Sequence, residues 1–247
     1  MADLPGTRSS RYLLTSALVE AGDLAAAERS CAAGLARARD AGDLPNLAWA
    51  LTQMVRLDLR AGRIEDAREH LRQSLQVATR SGGRVAVFNA LDWCGYLCAA
   101  TGRHAEAITV WAARIALRPQ TAFPEPPIVA RRRQEPLRRA REALGEDRAR
   151  AAEDRGTAMS LATATEYALL LTTPSPPAQL TAGLAGLSTR ERELVVLVAQ
   201  GRTDAQIAAQ LFISPRTVHS HLDRIRDKTG ARRRADLTRL ALSAGLV

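Results

Sequence analysis

Two histidines, His219 and His221, lie two residues apart near Lys228, which is the only lysine in the chain. Such a group could bind a metal ion, take part in catalysis or contact a ligand. A helix turns about 100° per residue, so the two imidazoles would point roughly 200° apart and could not share one ion. No cysteine or carboxylate cluster lies nearby in the sequence to complete a coordination shell. We therefore predict no metal site and no cofactor.

The scarcity of lysine also argues against nucleotide chemistry. A phosphate-binding loop of the type GxxxxGK[ST] needs a lysine after glycines, but LDRIRD precedes Lys228. A phosphoacceptor receiver domain also uses a lysine beside an acidic pocket, and residues 1–227 contain no lysine. No Ser/His/Asp or paired-carboxylate spacing indicates catalysis. The chain is therefore not expected to be an enzyme.

Composition and charge define the class of protein. Hydrophobic residues make up 46% of the 247 residues and aromatic residues only 4%, and the abundant Ala, Leu and Arg favour helices, so we predict an all-α fold. The net charge is +9, with 11 basic and 6 acidic residues in 178–247 against 24 and 20 in 1–177. A basic C-terminal part favours a polyanionic partner. No segment is apolar enough to suggest a membrane span or a signal peptide, which predicts a cytoplasmic protein.

A repeat of 40 residues organises the N-terminal part. The segments AGDLAAAERSCAAGL, AGRIEDAREHLRQSL and TGRHAEAITVWAARI align with Gly22, Gly62 and Gly102 at the same position. Three sets of equivalent residues step by four along one helix face: Ala27, Ala67 and Ala107; Cys31, Leu71 and Trp111; Leu35, Leu75 and Ile115. This pattern resembles tetratricopeptide-like repeats, whose usual period is about 34 residues. We predict that residues 1–171 form a right-handed TPR-like helical solenoid that acts as a sensor or interaction domain.

Two groups of residues in this domain could be given functions. Cys31 and Cys94 align with core positions, Cys94 with Leu14 and Met54, and Cys94 and Cys98 are four residues apart. We interpret the cysteines as buried thiols rather than metal ligands. An arginine cluster could contact nucleic acid, but nearby glutamates favour ion pairs on a solvated face. Its members are Arg131, Arg132, Arg133, Arg138, Arg139 and Arg141.

The C-terminal part, after a Pro-rich linker at 172–183, contains signals for three short capped helices. Ser188 or Thr189 begins the first, Thr203 with Gln206 forms a capping box for the second, and Ser214 precedes Pro215 at the start of the third. On the third helix Val218, Leu222 and Ile225 form the buried side. The opposite side carries a polar ridge of Arg216, His219, Ser220 and Asp223. Such a helix after a tight turn fits a DNA major groove.

Residues 184–247 resemble the LuxR/GerE-type helix-turn-helix, and the repeats ahead of them resemble the C-terminal part of large MalT-like regulators without the ATPase. The resemblance rests on residues such as Glu191, Gly201, Thr217, Val218 and Gly230. It implies a four-helix DNA-binding domain that places the helix from Ser214 to Lys228 in the major groove of double-stranded DNA. The candidate DNA-binding residues are Thr203, Ser214, Arg216, Thr217, His219, Ser220, Asp223, Lys228, Arg232, Arg233 and Arg234.

Dimerisation and partners complete this hypothesis. In the family the last helix pairs two subunits, so the resemblance implies a homodimer on DNA. The candidate pairing residues are Leu237, Leu240, Ala241 and Ala244. For such a sequence-specific transcriptional regulator, a protein or small-molecule effector at the repeats and RNA polymerase are further candidate partners. Two alternatives stay open: an interaction scaffold with a vestigial helix-turn-helix, and a σ-factor-like protein, although three Phe, three Trp and three Tyr are few for DNA melting.

Overall fold

The computed structural model describes residues 14–15, 17–19, 21–120, 125–172, 186–231, 233–244 and 246. Within these ranges the secondary structure is helical, as the composition predicts. The helices are α1 (Leu24–Asp40), α2 (Leu44–Arg60), α3 (Ile64–Arg80), α4 (Arg84–Ala100), α5 (His104–Leu117), α6 (Pro127–Leu144), α7 (Glu146–Thr157), α8 (Leu161–Leu171), α9 (Thr189–Ala199), α10 (Asp204–Leu211), α11 (Pro215–Thr229) and α12 (Arg234–Ser243). A single 3₁₀ turn, Arg118–Gln120, follows α5. Of the predicted linker at 172–183, residues 173–183 lie outside the described residues.

The repeats are antiparallel helix pairs separated by glycine turns. Gly62 has a φ of 72°, and Gly22, Gly42, Gly82 and Gly102 have φ values between 63° and 81°. Only glycine enters this left-handed region without steric cost, so each turn ends one helix and reverses the chain. The turns recur every 20 residues, and the 40-residue period is therefore one helix pair. Consecutive helices from α1 to α5 pack against each other.

Most of the predicted repeat core is confirmed. Ala27, Ala67 and Ala107 are fully buried, and Cys31, Leu71 and Trp111 are at most 5% exposed. The three cysteines are free thiols and are buried. Two predictions are wrong: Ile115 is 47% exposed and Leu14 is 52% exposed. Ile115 is close to the C-terminal end of the last repeat helix, where no further repeat follows to cover it.

A cluster of four charged side chains joins α4, α5 and α6, and three of them are buried while Glu125 is half-buried. Arg133 donates to Asp92 at 2.6 Å and to Glu125 at 2.9 Å. Arg114 pairs with Glu125, lies 3.5 Å from Asp92 and donates to the carbonyl of Phe88 at 3.1 Å. The interpretation of Arg133 as part of a solvated face is therefore wrong, because this guanidinium enters the interior to neutralise two carboxylates. Three of the other arginines do form ion pairs on the surface: Arg138 with both Glu135 and Glu142, Arg139 with Glu135, and Arg141 with Glu153.

The C-terminal domain packs on the repeat domain through α12. Its helix lies between α9 of its own domain and α8 of the repeats. Arg239 Nη1 donates to the carbonyl of Leu170 at 3.0 Å, and Ala235 belongs to the repeat core. A Cβ at Gly201 would come within 2.5 Å of Ala158, so the two domains approach closely. None of the described helices is long and apolar enough to cross a membrane.

Candidate nucleic-acid interface

Helices α9, α10 and α11 form a small core of their own. Leu194, Ile207, Val218 and Ile225 are fully buried, and Leu222 is 1% exposed. These residues belong to one cluster that also includes Leu237 and Ala241 of α12. Burial of one apolar stripe from each short helix holds their relative positions. The opposite face of α11 is thus kept outward on a rigid support.

Each of the three helices begins at a side-chain cap that the sequence predicts. Ser188 and Glu191 form a reciprocal capping box at α9, and Thr203 and Gln206 form another at α10. Ser214 Oγ accepts from the backbone N–H of Thr217 at 3.1 Å, and Pro215 occupies the first turn of α11. These bonds satisfy N–H groups that a helix start would otherwise leave unpaired. The start of α11 is therefore well defined.

The turn between α10 and α11 depends on a strained residue. Phe212 adopts φ 54° and ψ 42°, the left-handed region that side-chain-bearing residues seldom occupy, and its ring is 95% exposed. This conformation ends α10: the backbone N–H of Phe212 donates to the carbonyl of Ala209, and the N–H of Ile213 donates to the carbonyl of Ala208 at 3.0 Å. The two-residue connection brings Ser214 directly to the start of the next helix.

The predicted polar ridge is exposed on α11. Arg216, His219, Ser220 and Asp223 face solvent, as does Thr217 in the first turn. Asp223 accepts from Arg226 Nη1 at 2.7 Å and lies 3.6 Å from His219 Nε2, so this carboxylate already has basic neighbours on its own helix. In the part of the chain that the structure describes, Arg216 has no acidic partner. The ridge therefore presents an uncompensated cation beside a paired carboxylate.

Arg224 was missing from the candidate residues. It is exposed, has no acidic partner among the described residues, and follows Ser220 by four positions, so it extends the ridge by one turn. The i, i+4, i+8 spacing of Arg216, Ser220 and Arg224 was the signal that could have identified it.

Lys228 is placed differently from the ridge. Its Nζ lies 2.7 Å from Glu191 Oε2 on α9. The Lys228 ammonium and, next, the backbone N–H of Ser188 lower the pKa of the Glu191 carboxyl from 4.5 to about 2. Lys228 thus joins the end of α11 to the start of α9, while its side chain stays 43% exposed.

The remaining basic candidates lie around the start of α12. Arg234 pairs with Asp204 at 2.5 Å and also donates to the carbonyl of Arg202. The backbone N–H of Arg233 donates to Asp236 at 2.7 Å, and the Arg233 side chain is exposed. Arg232 lies outside the described residues. Of these candidates, only Arg233 is shown with an exposed side chain.

The residues expected to pair two subunits are largely enclosed. Leu237 and Ala241 are fully buried, Leu240 is 1% exposed, and Ala244 is half-buried. The first two belong to the core of the C-terminal domain, and α8 covers another side of α12. Within the described ranges, no group of three or more His, Cys, Asp or Glu side chains could hold a metal ion.

Comparisons with known proteins agree with this geometry. Residues 185–241 match the family model described as bacterial regulatory proteins, luxR family. The chain is 32% identical over 216 residues to "Putative HTH-type transcriptional regulator Mb0914c" of Mycobacterium bovis, a match that covers 84% of this chain and 24% of that protein. It is 34% identical over 90 residues to the DNA-binding transcriptional activator DevR/DosR of Mycobacterium tuberculosis, a match that covers 36% of this chain and 42% of that protein.

A third relative shares only the C-terminal part. Response regulator Rre1 of Synechocystis is 40% identical over 75 residues, 30% of each protein. No solved structure matches the chain. The chain spans about a quarter of the length of the first Mycobacterium relative, so the likeness to that protein concerns a part of it.

Proposed function

Residues 185–241 form a helix-turn-helix domain of the luxR family of bacterial regulatory proteins, and on that premise we propose that the chain is a sequence-specific DNA-binding transcriptional regulator. The recognition helix is α11, from the Ser214 cap to Thr229, and it enters the major groove with its polar ridge facing the bases. Arg216 is suited to guanine, whose O6 and N7 accept two hydrogen bonds. Ser220 and Arg224 extend the same contact surface.

The observation that carries this proposal is the asymmetry of α11. One face is buried in the C-terminal core, and the other exposes Arg216 and Arg224, which have no acidic partners among the described residues. A cation that is not neutralised within the protein is available to a phosphate or a base edge. The capped first turns at Thr203 and Ser214 place backbone N–H groups and hydroxyls beside that surface, where phosphate oxygens can accept from them.

The partners follow from the same hypothesis. We propose a homodimer on DNA, paired through the part of α12 that the C-terminal core leaves free, with the repeats receiving a protein or small-molecule effector. Since α8 packs on α12, pairing and interdomain packing would compete if they use the same side of that helix. RNA polymerase would be contacted at the promoter, and the cytoplasm is the expected location. Lys228 and Arg234 would contact phosphate while they also keep their ion pairs with Glu191 and Asp204.

Salt-dependent DNA binding tests the proposal. The full chain should enrich a defined motif from random DNA fragments, and its affinity should fall steeply as salt rises, because phosphate contacts release counterions. Arg216→Ala should weaken binding to the selected motif by about 1–3 kcal/mol and relax preference at one base pair. Arg131→Ala, an exposed arginine on α6 of the repeat domain, is the matched control and should change nothing. Recovery of random sequences without enrichment would overturn the proposal.

A further inference from the structure

The repeat domain contains a groove that the proposed DNA contacts do not use. It crosses α2, α4 and α6, encloses about 420 Å³ and includes the first residue of α5, His104. Its lining surface is almost entirely apolar and is provided mainly by Leu59, Trp93, Tyr96 and Pro136. The volume lies within the range of roughly 300–1,000 Å³ that is usual for small-molecule sites.

The aromatic wall of the groove is partly open. Trp93 and Tyr96 are only half-buried, although both are large aromatic residues. Their ring centroids are 4.9 Å apart. The Tyr96 ring also meets the buried Trp111 edge-on at 5.3 Å, which fixes its orientation. When an apolar group covers such exposed aromatic surface in a concave site, the free energy of the system falls.

The border of the groove is basic. Four arginines line it against one glutamate: Arg56, Arg60, Arg132, Arg139 and Glu135. Glu135 is already bonded to both Arg138 and Arg139, at 2.7 Å in each case. In the described part of the chain neither Arg60 nor Arg132 has a carboxylate partner, and the Arg132 guanidinium lies 5.3 Å from the centroid of the Trp93 ring. These cations repel a positively charged ligand and favour a negative one.

We propose that this groove binds a small amphipathic organic anion. Its aromatic or aliphatic body lies against Trp93 and Tyr96, and its carboxylate or phosphate accepts from the bordering arginines, which are suited to paired hydrogen bonds with such groups. The arginines at the border repel a cationic ligand, and a purely polar ligand would leave the apolar lining uncovered. The inference deepens the proposed function, on which it rests, because it gives the repeat domain of a regulator a specific effector site and ligand class.

The groove is also connected to the DNA-binding domain. His104 forms part of its wall, and the preceding residue, Arg103, donates to the carbonyl of Leu171 at the end of α8 at 3.1 Å. Arg68 donates to the same carbonyl at 3.5 Å. Since α8 is the helix on which α12 packs, the Arg103 hydrogen bond links the first turn of α5 to the helix that forms the interdomain contact.

Calorimetric titration of the full chain tests the site. The probes are 1-naphthoate, octanoate and the neutral 1-naphthalenemethanol, which distinguish an aromatic from an aliphatic body and an anion from its uncharged analogue. At least one of the two anions should bind, with an affinity about tenfold higher than that of the alcohol. Arg132→Gln and Trp93→Leu should each weaken binding of that anion about tenfold, since one removes a charged donor and the other removes ring contacts. Arg131→Gln, the neighbouring exposed arginine outside the groove, should bind as the unaltered chain does.

Three results would overturn the inference: no heat from either anion at millimolar concentration, equal affinity for the alcohol, or unchanged binding by both groove variants. Circular dichroism of each variant shows whether it is folded, and Arg60→Gln provides a second, surface-exposed change if Trp93→Leu is not. DNA binding is measured on the same preparations. Retained DNA binding without anion binding rejects the groove alone, whereas anion binding without DNA binding supports the groove and rejects the proposed function.

Discussion

Arg133 in the repeat domain is buried and bonded to Asp92 and Glu125, whereas Arg216 on α11 is exposed and has no acidic partner among the described residues. The first side chain contributes its charge to the fold, because a buried cation is costly unless carboxylates pair with it. The second lies outside the core of its domain and stays available to a polyanion. Arginine content alone therefore does not identify a DNA-binding surface, and the difference lies in whether each guanidinium is already neutralised.

The two domains also begin their helices differently. In the C-terminal domain Ser188, Thr203 and Ser214 each cap a helix through a side-chain hydrogen bond. In the repeats Asp23 and Asp43 cap α1 and α2 in the same way, but α3 and α5 begin after Arg63 and Arg103, which make no such bond. The three short C-terminal helices are therefore all specified locally, whereas α3 and α5 depend on glycine turns and on packing against their neighbours.

The largest effect is expected from breaking the buried charge cluster. Arg133→Met keeps the side-chain volume but leaves Asp92 and Glu125 to share Arg114, so we expect the free energy of unfolding to fall by about 3–5 kcal/mol. Urea unfolding followed by tryptophan fluorescence measures this loss. Arg131→Met is the control on the same helix and should change stability by less than about 0.5 kcal/mol. A small loss for Arg133→Met would mean that the cluster is not buried in solution.

A smaller effect is expected at the ion pair between α9 and α11. Glu191→Ala removes both the capping-box bond and the partner of Lys228, and should lower the free energy of unfolding of the C-terminal domain by about 2 kcal/mol. Glu191→Gln keeps a capping group and should cost less.

The pH dependence of the free energy of unfolding, measured by urea titration of the unaltered chain and of Glu191→Gln, checks whether the Glu191 charge causes this stabilisation. The pKa of Glu191 is about 2 in the fold and 4.5 ordinarily, so its contribution is complete above pH 4.5 and is lost as pH falls toward 2. Glu191→Gln should lose less stability over that range than the unaltered chain. Equal acid sensitivity of the two proteins would contradict the assignment.

The sequence predicts much of the C-terminal domain and less of the repeats. The caps at Ser188, Thr203 and Ser214 and the buried stripe of α11 depend on residues close together in the chain, so local patterns identify them. The partnership of Arg133 with Asp92 joins residues 41 positions apart, and the packing of α12 on α8 joins Arg239 to Leu170 across 69. Neither follows from helix periodicity, because both depend on how α6 and α12 lie against distant helices. The Lys228 contact with Glu191, 37 positions away, was missed for the same reason.

A third effect concerns the single carboxylate of the ridge. Asp223→Ala should reduce discrimination at one base pair by about 1 kcal/mol, the low end of the range for a direct base contact, because Arg226 already holds this carboxylate. Selection from randomised DNA with both proteins measures the preference. If the preferred sequence is unchanged and affinity rises for all DNA, Asp223 is a repulsive surface charge and does not read a base.

The smallest effect contrasts the turns of the two domains. Gly62 occupies the left-handed region in a repeat turn, and no atom lies within 4 Å of a Cβ placed there, so Gly62→Ala should cost about 1 kcal/mol from backbone strain alone. Phe212 occupies the same region in the α10–α11 turn with its ring almost fully exposed, and asparagine tolerates that conformation better. Phe212→Asn should therefore raise the free energy of unfolding by about 0.5 kcal/mol in a urea titration of the full chain. A loss of stability would show that the exposed ring makes contacts in solution that outweigh the strain of its backbone, and the two kinds of turn would then differ in what fixes them.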